Sequence, residues 1–141
     1  MHPTKILYTA KVTVTGGRIG EAVSEDGKLT LKMDKPVEMG GQGAGTNPEQ
    51  LFAAGYAACY LSALTMVAGK RKVDAEGASV TAEVGIGPAG QGFALAATLH
   101  VNVPKASPED AKKIADEAHQ VCPYSNATRG NIQVTIDVSP K

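Results

Sequence analysis

Cys59 and Cys122 are the two cysteines of the chain, and no CxxC motif pairs them. A thiol acts chemically as its thiolate, as nucleophile, redox centre or metal ligand. Both cysteines fall among apolar residues, in GYAACYLSAL and HQVCPYS. Burial raises a thiol pKa, so a reactive Cys59 requires a cation beside it. Arg18, Arg129, Lys70, Arg71 and Lys72 are the candidates. Lys70 lies about 16 Å along a helix from Cys59 by helical rise. Arg18 follows Gly16-Gly17 directly, at a turn that can aim a side chain over a pocket. Glu49 is able to hold such an arginine through a bidentate carboxylate–guanidinium pair. Each feature also has an inert explanation. Buried cysteines behave as small hydrophobes, turn arginines are mostly solvated, and a first-turn acid is favoured by the helix dipole. His2, His100 and His119 show no ligand spacing, and neither CxxC nor HExxH is present, so no metal site is expected. His119 is placed on the polar edge of its helix. GxSxG is also absent.

The element that must position Cys59 is the stretch Thr46–Ala68, which reads as a helix. Asn47 can cap it with Pro48 at the first helical position; Thr46 with Glu49 offers a capping box one residue earlier. No charge occurs from Leu51 to Ala68, so the helix is apolar all round and needs cover on every side. Gly69 is the expected stop. Helical spacing puts Phe52, Gly55, Tyr56, Ser62, Ala63 and Met66 on the face of Cys59, with Phe52, Tyr56 and Met66 as a candidate apolar wall. Glu49 stands about 15 Å along the axis from Cys59. Either Arg18 reaches across, or Glu49 serves the site of another subunit.

Around this helix the chain is β-rich. Residues 5–15 alternate in period two, Gly16-Gly17 turns, 18–25 form a second strand, Asp26-Gly27 turns again, and 28–33 return. Residues 34–45 are a glycine-rich loop, read as a linker. Residues 77–86 and 92–103 form a second hairpin. Ser107-Pro108-Glu109-Asp110 opens a second helix, which Pro123 ends, and 131–138 form a last strand. The pattern predicts an α+β fold of antiparallel sheet and segregated helices, in a single domain over 1–141. An intertwined homodimer would cover the central helix.

Composition narrows the function classes. The formal net charge is zero, which gives no nucleic-acid or membrane-surface footprint. The uncharged run just reaches spanning length, but it is largely Ala, Gly, Ser, Thr and Tyr between β-rich polar flanks, so a core helix is preferred over a membrane span. The N-terminal residues lack a signal segment, and a cytoplasmic location is expected. Two cysteines there suit thiols or a transient redox pair better than a structural bridge.

TNPEQLFAAGYAACY around Cys59, VCPYSNATRGNI around Cys122 and GGRIG around Arg18 resemble the organic hydroperoxide resistance (Ohr) proteins of the Ohr/OsmC superfamily, over essentially the whole chain. The resemblance implies an intertwined α+β homodimer with sites at the interface. It implies Cys59 as the peroxidatic and Cys122 as the resolving cysteine, with Arg18 and Glu49 activating the thiolate and binding the peroxide. It further implies reduction of alkyl and fatty-acid hydroperoxides to alcohols, no bound cofactor, and recycling by dihydrolipoyl groups of a lipoylated protein. An OsmC-branch peroxidase with other substrates is the near alternative. A non-enzymatic module for hydrophobic-ligand binding or thiol sensing is the distant one.

Overall fold

The computed structural model describes residues 1–139 of the chain. It comprises two compact units, Met1–Leu51 and the remainder from Phe52. The first holds an antiparallel meander, β1 (Val12–Thr15), β2 (Gly20–Ser24) and β3 (Thr30–Met33), with Val14 opposite Ala22 and Ala22 opposite Leu31. The first strand is shorter than its alternation predicts. Residues 1–11 are exposed and outside any strand, because β2 ends its ladder against β1 at the Val12–Ser24 pair. Alternation marks a face, but a strand also needs a neighbour to hydrogen-bond. The Asp26-Gly27 turn forms as expected, its Asp26 carboxylate accepting from Ser24 Oγ at 2.7 Å and the Lys28 amide at 3.0 Å.

The glycine-rich loop is a closed structure rather than a slack linker. The Asp34 carboxylate accepts from the amides of Lys35 and Ala44, each at 2.9 Å, and a short 3-10 turn covers Val37–Met39. The Asn47 cap is the one realised: Asn47 Oδ1 accepts from the Gln50 amide at 2.9 Å, while Thr46 Oγ1 donates to the Gln50 side chain at 2.7 Å.

From this cap α1 runs Pro48–Arg71. It passes through Gly69, the expected stop, and ends at Lys72, which takes a left-handed φ of 56°. A helix of this length with an uncharged middle is long and apolar enough to cross a bilayer. Here one side carries the core of the second unit instead: Tyr56, Tyr60, Ala63, Leu64, Val67 and Ala68 are buried. Burying a leucine such as Leu64 fully contributes about 2 kcal/mol. The opposite stripe, Ala54, Ala58, Ser62, Thr65 and Met66, is exposed, so the all-round cover expected for this helix is absent within one chain.

The second unit packs that core against β4 (Ser79–Ala89), β5 (Gly92–Asn102), β6 (Gln133–Val138) and α2 (Pro108–Val121). Leu99 and Val101 of β5 meet Ile114, Ala115 and Ala118 of α2 in one cluster. The hairpin β4–β5 is antiparallel, but β6 joins β5 in parallel, from Ala96 opposite Gln133 to Val101 opposite Val138. This corrects the all-antiparallel expectation. A strand that returns through a helical crossover arrives pointing the same way as its neighbour. Ser107 caps α2 by accepting from the Asp110 amide at 3.1 Å, as its sequence predicts. Pro123 ends α2 and also opens an unexpected short helix, α3 (Pro123–Thr128). A proline at the first helical position lacks only an amide that has no helical partner anyway.

Candidate active site

Pro123 fixes the local geometry of Cys122. The residue before a proline is pushed from helical to extended backbone, and Cys122 sits at φ −63°, ψ 123°. It is therefore the last cap of α2, its amide donating to Ala118 O at 2.9 Å, and also the first cap of α3. Its sulfur accepts from the Ser125 amide at 3.5 Å. Cys122 is fully buried and Cys59 half-buried; both are free thiols. The Cys122 thiol donates to Cys59 Sγ, with the sulfurs 3.6 Å apart. A disulfide at ~2.05 Å requires about 1.5 Å of approach.

Burial raises the Cys59 pKa, and the neighbouring Cys122 thiol adds to the rise. A hydrogen bond from the Tyr124 backbone opposes them. The first turn of α3 thus serves the Cys122 sulfur directly, through the Ser125 amide.

An aromatic group surrounds this turn. The Tyr56 ring stands 6.0 Å from Phe52, edge to face, and 5.8 Å from Tyr124; Phe52 and Tyr124 are 6.2 Å apart. Gly55 makes room for it. A Cβ there would sit 3.0 Å from the Tyr124 hydroxyl oxygen, tighter than ordinary contact. Of the three residues named as an apolar wall, Phe52 and Tyr56 belong to this group. Tyr56 is a scaffold, fully buried, its hydroxyl bonded to Ser125 Oγ at 2.8 Å and Thr128 Oγ1 at 3.2 Å. Met66 is 49% exposed and lies outside the core cluster.

In the first unit, Arg18 sits in the turn made by Gly16 and Gly17, whose φ values of 77° and 63° suit glycine. Its guanidinium grips Glu49 through both nitrogens, Nη1 to Oε2 at 2.9 Å and Nη2 to Oε1 at 2.8 Å. The hydrogen bonds raise the Arg18 pKa and lower that of Glu49, so each keeps the other charged. The pairing expected from sequence is therefore present.

Sequence reasoning missed Tyr124, Ser125 and the role of His119. His119 is at the edge of its helix, partly buried, but its ring turns to a polar partner, with Nδ1 2.7 Å from Ser125 Oγ. Burial, then the nearby Arg129, lower its pKa against an opposing pull from Asp116. The signal was the second proline-led turn, CPYS, which reads as a helix start as readily as a helix stop. Among the described residues no cluster of His, Cys, Asp or Glu has the arrangement of a metal site.

The sequence and the fold that carry this thiol pair match a known family. The OsmC-like protein family matches residues 41–137, and the chain belongs to that family. Within it the chain groups with the organic hydroperoxide resistance proteins. It is 51% identical to the organic hydroperoxide resistance protein of Xanthomonas axonopodis pv. citri over 139 residues, covering 97% of this chain and 98% of that one. The structure is similar to that of a putative organic hydroperoxide resistance protein from Vibrio cholerae solved with captopril in one of its active sites. The TM-score is 0.93 and the identity 48%, over 97% of this chain and 95% of that one. It is also similar to the OhrB protein of Bacillus subtilis, with TM-score 0.85 and 41% identity over 95% and 100% of the two chains.

Proposed function

We propose that the protein is a cysteine peroxidase that reduces organic hydroperoxides to alcohols. The observation that carries this reading is the 3.6 Å separation of Cys59 and Cys122 Sγ. The Cys59 thiolate attacks the distal peroxide oxygen, the O–O bond breaks, and the alkoxide leaves as alcohol after taking a proton. Cys59 becomes a sulfenic acid. Cys122 then closes a disulfide, with loss of water. An external dithiol, a dihydrolipoyl group on a lipoylated protein, reduces the bridge by exchange and is itself oxidised to the cyclic disulfide.

Arg18, held by Glu49, is the proposed source of the positive charge that offsets the cost of burying the Cys59 thiolate. Phe52 and Tyr124 are the proposed contacts for an alkyl group, where each buried CH₂ is worth about 0.8 kcal/mol. A homodimer is part of the proposal. The exposed stripe Ala54, Ala58, Ser62, Thr65 and Met66, and the exposed Val12, Val14, Ile6, Leu7 and Tyr8, call for a cover that a second copy can supply. A cytoplasmic location suits thiols that must be kept reduced.

The test mixes reduced protein with cumene hydroperoxide and dihydrolipoamide and follows peroxide loss. Catalytic turnover supports the reading. No turnover with any dithiol favours a ligand-binding module. Light scattering in the same buffer checks for twice the chain mass of 14.5 kDa.

A further inference from the structure

We infer that His119 and Ser125 form a positioning relay for Cys122, fixing the first turn of α3 so that the Cys122 sulfur faces Cys59 when the disulfide closes. The inference rests on the proposed reading of the two thiols as a redox couple.

The relay joins three helices. Ser125 is fully buried. Its Oγ lies 2.7 Å from His119 Nδ1 on α2 and 2.8 Å from the Tyr56 hydroxyl on α1. Its own amide reaches Cys122 Sγ at 3.5 Å. Thr128 completes the group, 3.2 Å from the Tyr56 hydroxyl and donating to Ser125 O at 3.2 Å. Ser125 Oγ thus bridges an imidazole nitrogen and a phenol, and a hydroxyl can give one of them a proton while accepting from the other.

A helix of six residues does not stand by its own backbone bonds. Apolar packing holds α3 down but leaves it free to turn; directional bonds fix its rotation. Cys122 is where α2 ends and α3 begins, so rotation of α3 carries the sulfur with it. Removing the imidazole takes from the buried Ser125 hydroxyl one of its two side-chain partners, in a core where every buried polar side-chain atom described has a partner.

The step served is the closing one. Cys122 sulfur attacks Cys59 sulfur, the S–S bond forms and the S–O bond breaks. The Cys122 proton joins the departing hydroxyl, which leaves as water. Cys122 is oxidised and the Cys59 sulfenic sulfur is reduced. The relay neither gives nor takes that proton, since Ser125 Oγ and His119 have no bond to either sulfur; they act through Cys122.

The experiment uses the reduced full chain as wild type, His119→Ala, Ser125→Ala and His119→Asn, all checked by circular dichroism. One arm drives Cys59 oxidation with cumene hydroperoxide and measures sulfenic acid trapped by dimedone against disulfide formed. A second drives closure with diamide, which needs no peroxide chemistry. In His119→Ala and Ser125→Ala, closure slows about tenfold relative to Cys59 oxidation, a size typical of a small misplacement of a reacting group. His119→Asn, whose Oδ1 falls near the place of Nδ1, restores closure to within about twofold of wild type. A purely structural role would instead lower the melting temperature of all three without changing the ratio of the two steps. Closure at the wild-type ratio in both alanine variants, or failure of His119→Asn to rescue, overturns the relay. If wild-type Cys59 ignores peroxide, the peroxidase reading fails, and the diamide arm alone still decides the relay.

Discussion

The Arg18–Glu49 pair and the Cys59–Cys122 pair each join residues far apart in sequence, by 31 and 63 positions. They are held by opposite means. The ion pair is partly solvated, with side chains 30% and 13% exposed, and both members gain from being charged. The sulfur pair is more deeply set at Cys122 than at Cys59, and its surroundings favour the neutral thiol at Cys59. One pair offers charge without a nucleophile, the other a nucleophile without charge of its own. The proposed peroxidase chemistry needs both, so neither pair carries it alone.

Substitutions can break this contrast, starting with the largest effect. Cys59→Ser is expected to abolish peroxide consumption, measured with cumene hydroperoxide and dihydrolipoamide. Cys122→Ser is expected to keep one stoichiometric turnover and lose the rest, with Cys59 advancing to sulfinic acid by mass spectrometry under excess peroxide. Full activity in Cys59→Ser would remove the sulfur region from the chemistry altogether.

Arg18→Ala tests whether the charged region serves the sulfur region. If it does, the pH midpoint of Cys59 alkylation rises by about 1–3 pH units, the usual influence of a close opposite charge. Glu49→Gln shifts it less, since the guanidinium stays. An unchanged midpoint in Arg18→Ala means that the two regions work separately.

Smaller effects concern stability. Tyr60 is fully buried and donates to Ala115 O at 2.6 Å; burial keeps its phenol from ionising. Tyr60→Phe is expected to cost about 0.5–1.5 kcal/mol by urea unfolding, the usual net worth of one hydrogen bond. His100 gives the smallest effect. Asp137 and then Glu83 raise its pKa, with contacts of 3.0 and 2.9 Å. A raised pKa means that protonation favours the folded chain. This stabilisation is complete below the ordinary histidine value of about 6.5 and is lost as pH rises through the higher folded value. His100→Gln should flatten the melting temperature across that window.

Much of this was legible in the sequence. Period-two alternation marked the hairpin of β4 and β5, and the Ser107 cap marked the start of α2, because these signals are local. The contact of Cys59 with Cys122 was readable from their apolar surroundings and from the family resemblance, not from spacing, since 63 residues separate them. What escaped depended on partners remote in sequence. The direction of β6 follows from the crossover before it, and β1 is short because its ladder neighbour stops. The bonds of Ser125 and His119 depend on α3, whose proline-led start was read as a stop alone.

The parallel strand β6 also bears on synthesis. Cys59 leaves the ribosome 63 residues ahead of Cys122. The crossover carrying Cys122 is completed when β6 finds β5. Non-local pairing of this kind comes late in folding. In the proposed chemistry the first thiol has until then no second one to close on, and an oxidant met by the nascent chain can drive it beyond the reversible stage. On that proposal the finished molecule is guarded where the unfinished one is not.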